Sequence, residues 1–357
     1  MVKYVDVHRH LEAGHSVAAL RDTAEKYGNS ILVVGGKVLD PHEITKLVVM
    51  NGARGWDPFY ETVKKTRAAY IRPAAIQELV YQAFIDAAEE TDGFEYRFSP
   101  VSMIDAYLRN IKYVKGIEDV PLRTPEEKAI YLSYAQDVIG AVLAGKRLAM
   151  SQLANETFGV DCGLRLGLSR QKKHLDGLNL LADLFLSYKH EFTGLDVLGA
   201  EEAGSLERMR GLIEKLRRDI PDLSIHAGEI LGAEAVREAL IYNPATIGHG
   251  IHAVLDEALM RELARREVIL EVCPTSNDLV LPSEKMNDLK ARHEGKHPLI
   301  VLMENGVQCV VATDDPVPFD TTIEEEYTRA RDELGVNVEQ MSDIACTRLE
   351  KIVRQAA

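Results

Sequence analysis

The chain has 357 residues, 46% of them hydrophobic and 27% charged, an ordinary composition for a globular protein able to bury a sizeable core. Its formal charge is −14, from 42 basic and 56 acidic residues with no Lys/Arg-rich run, which argues against a nucleic acid or an anionic membrane as partner. The length allows one large domain or two ordinary ones. Four cysteines, Cys162, Cys273, Cys309 and Cys346, lack CxxC spacing, so neither a disulfide framework nor a cysteine-based zinc site is expected. The first residues do not read as a signal peptide, no apolar run reaches membrane-spanning length, and a cytoplasmic location is the expectation.

In chain order, residues 3–8 read as a short β-branched strand that runs into His8-Arg9-His10. Alternation along an extended chain puts His8 and His10 on one face, a metal half-site. From residue 15 to about 92 the apolar spacing is three and four, predicting helices over 16–27, 41–49, 57–70 and 74–90. Ser16 and Asp57 are expected caps, and Pro41 and Pro73 mark helix starts. Trp56, Phe59 and Tyr60 fall inside this excursion and offer an apolar wall, or plain core.

Residues 93–100 alternate aromatic and polar, a second strand, followed by a helix over 125–148 with Thr124 at its cap. Strands then recur at 162–169, 194–199, 223–227, 246–250, 268–273 and 307–313. Helices are predicted between them at 174–188, 205–218, 233–241, 255–266 and 298–305, with 283–296 a charged loop, and two helices close the chain at 323–334 and 341–353. Eight strands, each followed by helix and with no linker between, predict a closed (β/α)8 barrel of the TIM type as a single domain over 1–357. The helical excursion over 11–93 is inserted after the first strand as a lid. An open doubly wound sheet is the alternative, but no glycine-rich dinucleotide fingerprint follows a strand; Gly35-Gly36 is a plain turn.

Polar residues gather at the C-terminal ends of these strands. His8 and His10 end the first, and Gly199 ends the fourth ahead of Glu201 and Glu202. His226 ends the fifth ahead of Glu229, His249 ends the sixth between two glycines, and Asp314-Asp315 end the eighth. In a barrel these ends share the rim where active sites are built. His8, His10, His226 and Asp314 make four nitrogen and oxygen ligands, a set suited to one Zn²⁺ per chain with room left for water. Glu229 and His249 remain beside the metal, one to donate a proton and the other to orient or deprotonate the water; Asp315 could hydrogen-bond substrate. His249 alone could be a turn residue, and Asp314-Asp315-Pro316 alone a helix cap. Five such features, each at a strand end, point instead to metal-assisted hydrolysis.

The stretches His8-Arg9-His10-Leu11-Glu12, His226-Ala227-Gly228-Glu229, Ile247-Gly248-His249-Gly250, Cys273-Pro274-Thr275-Ser276-Asn277 and Thr313-Asp314-Asp315-Pro316 closely resemble the adenosine deaminase family of the amidohydrolase superfamily. That resemblance implies one zinc on His8, His10, His226 and Asp314, and attack of metal-held water on C6 of a 6-aminopurine with loss of ammonia. It implies Glu229 as the acid protonating ring N1, His249 as the residue orienting the water, Asp315 at N7 and the Gly199 backbone at N3. It implies Glu12 near the sugar end. The candidate site is then catalytic Glu229, His249 and Asp314, with His10, Glu12, Gly199 and Asp315 on substrate. Glu12-Ala13-Gly14 departs from the family's usual acid-glycine pair, and His15 adds an ionisable group, so a 6-aminopurine ring is better supported than adenosine itself. Adenosine, adenine, a 5′-modified adenosine and an N6-substituted purine stay open. Two other readings are weighed: a two-metal ring-amide hydrolase, disfavoured because no lysine ends a strand, and a catalytically silent purine-binding relative, disfavoured because no ligand is lost.

Overall fold

The computed structural model describes residues 2–29, 31–115, 122–155 and 160–356. Eight strands carry the fold: β1 (Val5–His10), β2 (Gly93–Phe98), β3 (Asp161–Ser169), β4 (Gly194–Leu198), β5 (Leu223–Ala227), β6 (Thr246–His249), β7 (Ile269–Val272) and β8 (Cys309–Val311). They pair in chain order, every pair parallel. Arg9 bridges Asp314, the His10 amide donates to the Asp314 carbonyl at 2.8 Å, and the Asp314 amide donates to the His8 carbonyl at 2.8 Å. These bonds join the first strand to the end of the last and close the barrel, as the strand–helix alternation predicts.

The apolar side chains of the strands face outward. Val5, Val7 and Val310 pack with Leu349 and Ile352 of the C-terminal helix Val338–Ala356, and the outward residues of β2 to β7 join one continuous core with the surrounding helices. The inward positions are polar. Arg97 of β2 reaches Asp196 of β4 at 2.9 Å and Glu271 of β7 at 3.0 Å, and Arg165 of β3 holds Glu95 at 2.6 Å and Asp222 at 2.7 Å. Buried ions survive when each is paired, and removing one partner typically costs about 3–5 kcal/mol.

Between β1 and β2 lie α1 (Val17–Tyr27), α2 (Pro41–Val48), α3 (Trp56–Thr66) and α4 (Pro73–Glu90). The Ser16 side chain accepts from the Ala19 amide, and Asp40 with Glu43 forms a capping box ahead of Pro41. Asp57 is not a cap: α3 starts after Gly55, and Asp57 sits inside the first turn. Several helices escape the sequence reading. α5 (Pro100–Lys115) begins at a proline that closes the β2 pattern, since proline without an N–H suits the first helical turn. The short helix Pro274–Val280 starts the same way. The stretch 283–296, expected as loop, contains the helix Ser283–Ala291 despite its charge, because Met286 and Leu289 are buried three residues apart. The helix expected over 125–148 runs as α6 (Pro125–Asn155). No helix among the described residues is long and apolar enough to cross a membrane.

Candidate active site

The C-terminal ends of β1, β5, β6 and β8 bring four imidazoles and a carboxylate together. His8 and His10, two apart on β1, both project inward; their ring centroids are 5.4 Å apart. His226 at the end of β5 sits 4.6 Å from His8 and 5.2 Å from His10 by ring centroid, and His249 lies 5.2 Å from His226. The Asp314 carboxylate approaches His10 Nε2 at 3.2 Å and His8 Nε2 at 3.5 Å. His249 and Asp314 hold φ at +63° and +65°. Non-glycine residues enter that region at a cost of about 1–3 kcal/mol, and such strain concentrates at functional sites. Gly248 makes the approach of the rings possible, since a Cβ there would lie 2.8 Å from His8 Cε1 and 3.2 Å from His226 Cγ.

Two carboxylates set the protonation of this cluster. Glu271 lies 2.8 Å from His8 Nδ1, and Asp196 lies 3.2 Å from His226 Nδ1. Burial works against both charges, but Arg97 and His8 hold the Glu271 carboxyl far below its ordinary range, and His226 and Arg97 do the same for Asp196. An ionised carboxylate only accepts, so Nδ1 of each histidine carries the proton and Nε2 presents a lone pair. His8 Nε2 is buried without a hydrogen-bond partner, and His10 Nε2 faces His226 Nε2 at 3.2 Å. Burial pushes the His226 imidazole down to about 4, so it stays neutral. Lone pairs converging with a carboxylate suit a divalent cation. His8, His226, His249 and Asp314 form one such group, and His10, Asp314 and Asp315 an overlapping one. Ser276 donates to the second Asp314 oxygen at 2.6 Å.

Beside this cluster Glu229 Oε2 stands 3.7 Å from His249 Nε2. Burial, then the charges of Asp314, Glu201 and Asp315, raise the Glu229 carboxyl well above its ordinary range. Burial and Asp314 raise Asp315 likewise, while burial lowers His249. The site therefore offers two carboxylic acids able to donate and an imidazole able to accept. Asn277 places its amide nitrogen 3.1 Å from His249 Nδ1. Glu201 turns out to be a loop anchor: its carboxylate accepts from the amides of Gly228 at 2.6 Å, Ile230 at 2.7 Å and Leu231 at 2.7 Å, fixing the turn that carries Glu229. Glu202 is exposed and paired with Arg208.

A cleft opens over the cluster. His10, Glu12, Gly199, His226, Glu229, His249, Asp314 and Asp315 all line it, while His8 lies behind it, fully buried. Gly199 holds φ at +95°, a conformation that favours glycine. Trp56, Phe59, Tyr60 and Val63 of α3 supply its apolar wall, with Phe59 stacked on Phe319 at 5.2 Å. Glu12 is anchored by the Ser99 amide at 2.8 Å. His15 is buried away from the cleft, its Nε2 2.7 Å from the Tyr70 hydroxyl, and lines no part of it.

Sequence reasoning left the acceptors behind the histidines unnamed. Glu271 fills that place for His8 and Asp196 for His226, while Ser276 donates to Asp314 and Asn277 sets its amide nitrogen against His249 Nδ1. Acids inside otherwise apolar strands, at Glu271 and Asp196, were the available signal.

Residues 4–353 match the family model described as Adenosine deaminase. An adenine deaminase from Agrobacterium fabrum is 25% identical over 349 residues, covering 97% of this chain and 92% of the relative. Among solved structures, the adenine deaminase of Arthrobacter aurescens superposes with a TM-score of 0.71 at 18% identity, covering 100% of this chain and 98% of that one. An amidohydrolase from Burkholderia ambifaria, with bound Zn, superposes with a TM-score of 0.67 at 18% identity, covering 100% and 92%.

Proposed function

The chain belongs to the adenosine deaminase family, and from that membership we propose that it hydrolytically deaminates a 6-aminopurine, adenosine first among them, in a zinc-dependent reaction. Water and the 6-amino compound give the 6-oxo compound and ammonia. The observation that carries this reading is the meeting, at the floor of one cleft and just behind it, of the His8, His10, His226 and Asp314 donor set with the buried pair Glu229 and His249.

His8, His10, His226 and Asp314 would hold the ion, which the orphaned His8 Nε2 and the neutral His226 imidazole accommodate. A zinc ion held there supplies Lewis acidity, making water a nucleophile at neutral pH. The chain's own groups do the rest. Glu229, kept protonated by burial, donates to ring N1 and makes C6 electrophilic. His249, neutral and steadied by Asn277, orients the attacking water and takes up its proton. Asp315, also protonated, donates to N7, which can only accept. The Gly199 amide donates to N3, and the helices over 17–90 serve as the lid that keeps bulk water from the ring.

The name of the Agrobacterium relative favours a second reading, free adenine as substrate. An ultraviolet assay over adenosine, 2′-deoxyadenosine, adenine and 5′-substituted adenosines, with metal content measured alongside, separates the two. No turnover of any 6-aminopurine by the zinc-loaded protein would sink both.

A further inference from the structure

The cleft extends past the ring-directed groups toward the end of β3, where Ser169, Gln171 and His174 line it. Ser169 is the last residue of β3, and His174 closes the short 3-10 turn Lys172–His174 that follows. The two side chains meet, with Ser169 Oγ 2.7 Å from His174 Nδ1. On the far side of the ring, His174 Nε2 lies 3.2 Å from a carboxylate oxygen of Asp105, on α5. Ser169 and His174 are buried, and Asp105 is partly exposed.

The ordinary reading of such a chain is a strut that ties the end of a strand to a neighbouring helix. A strut can face anywhere. This one ends on the cleft, and it fixes the polarity of what it presents there. A neutral imidazole has one N–H and one lone pair. Facing the Asp105 carboxylate, the N–H sits on Nε2, so Nδ1 accepts the Ser169 hydroxyl proton. Ser169 then has no proton left to give, and its Oγ turns only lone pairs to the cleft. Its neighbour is Gly199, whose amide the deaminase reading directs at ring N3; a Cβ on Gly199 would stand 3.5 Å from Ser169 Oγ. An amide donor beside a hydroxyl acceptor matches an edge on which an acceptor nitrogen is flanked by a donor. The 6-aminopurines offer that edge in two forms, N3 beside the N9–H of a free base or N3 beside the 2′-hydroxyl of a nucleoside. A substrate without the donor leaves a buried acceptor unpaired.

We propose that Ser169, polarised by His174 and Asp105, is a specificity residue that accepts a hydrogen bond from the donor flanking ring N3, so that the preferred substrate is a 6-aminopurine carrying that donor. This rests on the deaminase reading above and deepens it. His174 and Asp105 are positioning residues that act through Ser169.

The test measures kcat/KM, in zinc-loaded protein, for two pairs that differ by that donor: adenine against 9-methyladenine, and adenosine against 2′-deoxyadenosine. In the wild type the donor-bearing member of one pair should lead by roughly 10–100-fold, the cost of a buried acceptor left unpaired. Which pair shows the preference tells N9–H from a sugar hydroxyl. Ser169→Ala should bring that ratio close to one by slowing the donor-bearing substrate and sparing its partner, which a general loss of structure would not do. Asp105→Ala frees the imidazole to take either tautomer and should lower the same ratio part of the way. A wild type with no preference in either pair, or a Ser169→Ala or Asp105→Ala variant that keeps the full ratio, overturns the proposal. If no 6-aminopurine turns over, the deaminase reading fails and calorimetry on the same four ligands decides the acceptor: tighter binding of a donor-bearing member, lost in Ser169→Ala, supports it, and equal or absent binding overturns it.

Discussion

Glu229 and Glu271 are both buried carboxyls at the same end of the barrel, and their surroundings push them in opposite directions. Burial and then neighbouring acids raise Glu229; Glu271, equally buried, faces Arg97 and His8 and is held ionised. The first can donate a proton, the second can only accept one, and the chemistry assigned to each follows from that. Glu229→Gln should therefore keep its zinc but lose roughly 10²–10⁴-fold in kcat, the worth of a general acid, whereas His226→Ala should come out of purification without metal. Retained activity in Glu229→Gln would remove it from the proton-donor role. Glu271→Gln leaves His8 without its fixed tautomer and should weaken zinc by about 10–100-fold, read by chelator competition. At this scale the residues that meet at the candidate site were legible in the sequence, because histidine and acid at strand ends are rare enough to stand out. The supporting carboxylates were not, because an acid inside a strand can face either the barrel interior or a neighbouring helix.

At the level of elements, the short helix Pro274–Val280 matters more than its length suggests. It carries Ser276 to Asp314 and Asn277 to His249, so its placement sets two of the site's groups. The helix Ile323–Asp332 holds it in place: Glu326 accepts from the Thr275 amide at 3.2 Å and from Thr321 Oγ1 at 2.9 Å, and Arg329 donates to Thr275 Oγ1 at 3.1 Å. Burial raises Glu326 to about 7. A carboxyl raised on folding favours the native state fully below its unfolded value, and that contribution is lost as pH rises through the folded one. Denaturant titrations from pH 5 to 8 should show wild-type stability falling by on the order of 2–3 kcal/mol from this group, and Glu326→Gln should flatten that slope. An equal slope in both proteins would refute the assignment. This tie was invisible beforehand because the Pro274 helix was not expected; its seven residues are too few to show a period.

Over the whole molecule, the barrel divides its work by face. The outward faces of the strands join a continuous apolar core with the helices, while the interior is an ion-pair network topped by the candidate metal site. Folding is then driven by the outer shell, and an ion bound at that site would add stability by mass action. Zinc at a thousand times its Kd would contribute about 4 kcal/mol, so chelation should lower Tm by roughly 5 °C in a chain of this size and leave the protein folded. Collapse to an unfolded chain on chelation would show that the core alone is insufficient.

Eight strands, their order, the rim residues and the reaction class were all readable from the chain, because strand periodicity and the position of a residue at a strand end are local properties. What fills the second nitrogen of His8 and of His226, and which face of each strand is polar, depended on the closed barrel. Glu271 meets His8 from 263 residues away along the chain, and the Ser99 amide takes up the Glu12 carboxylate from 87 residues away. Contacts of that separation are chosen by how the barrel closes, and no local pattern encodes them.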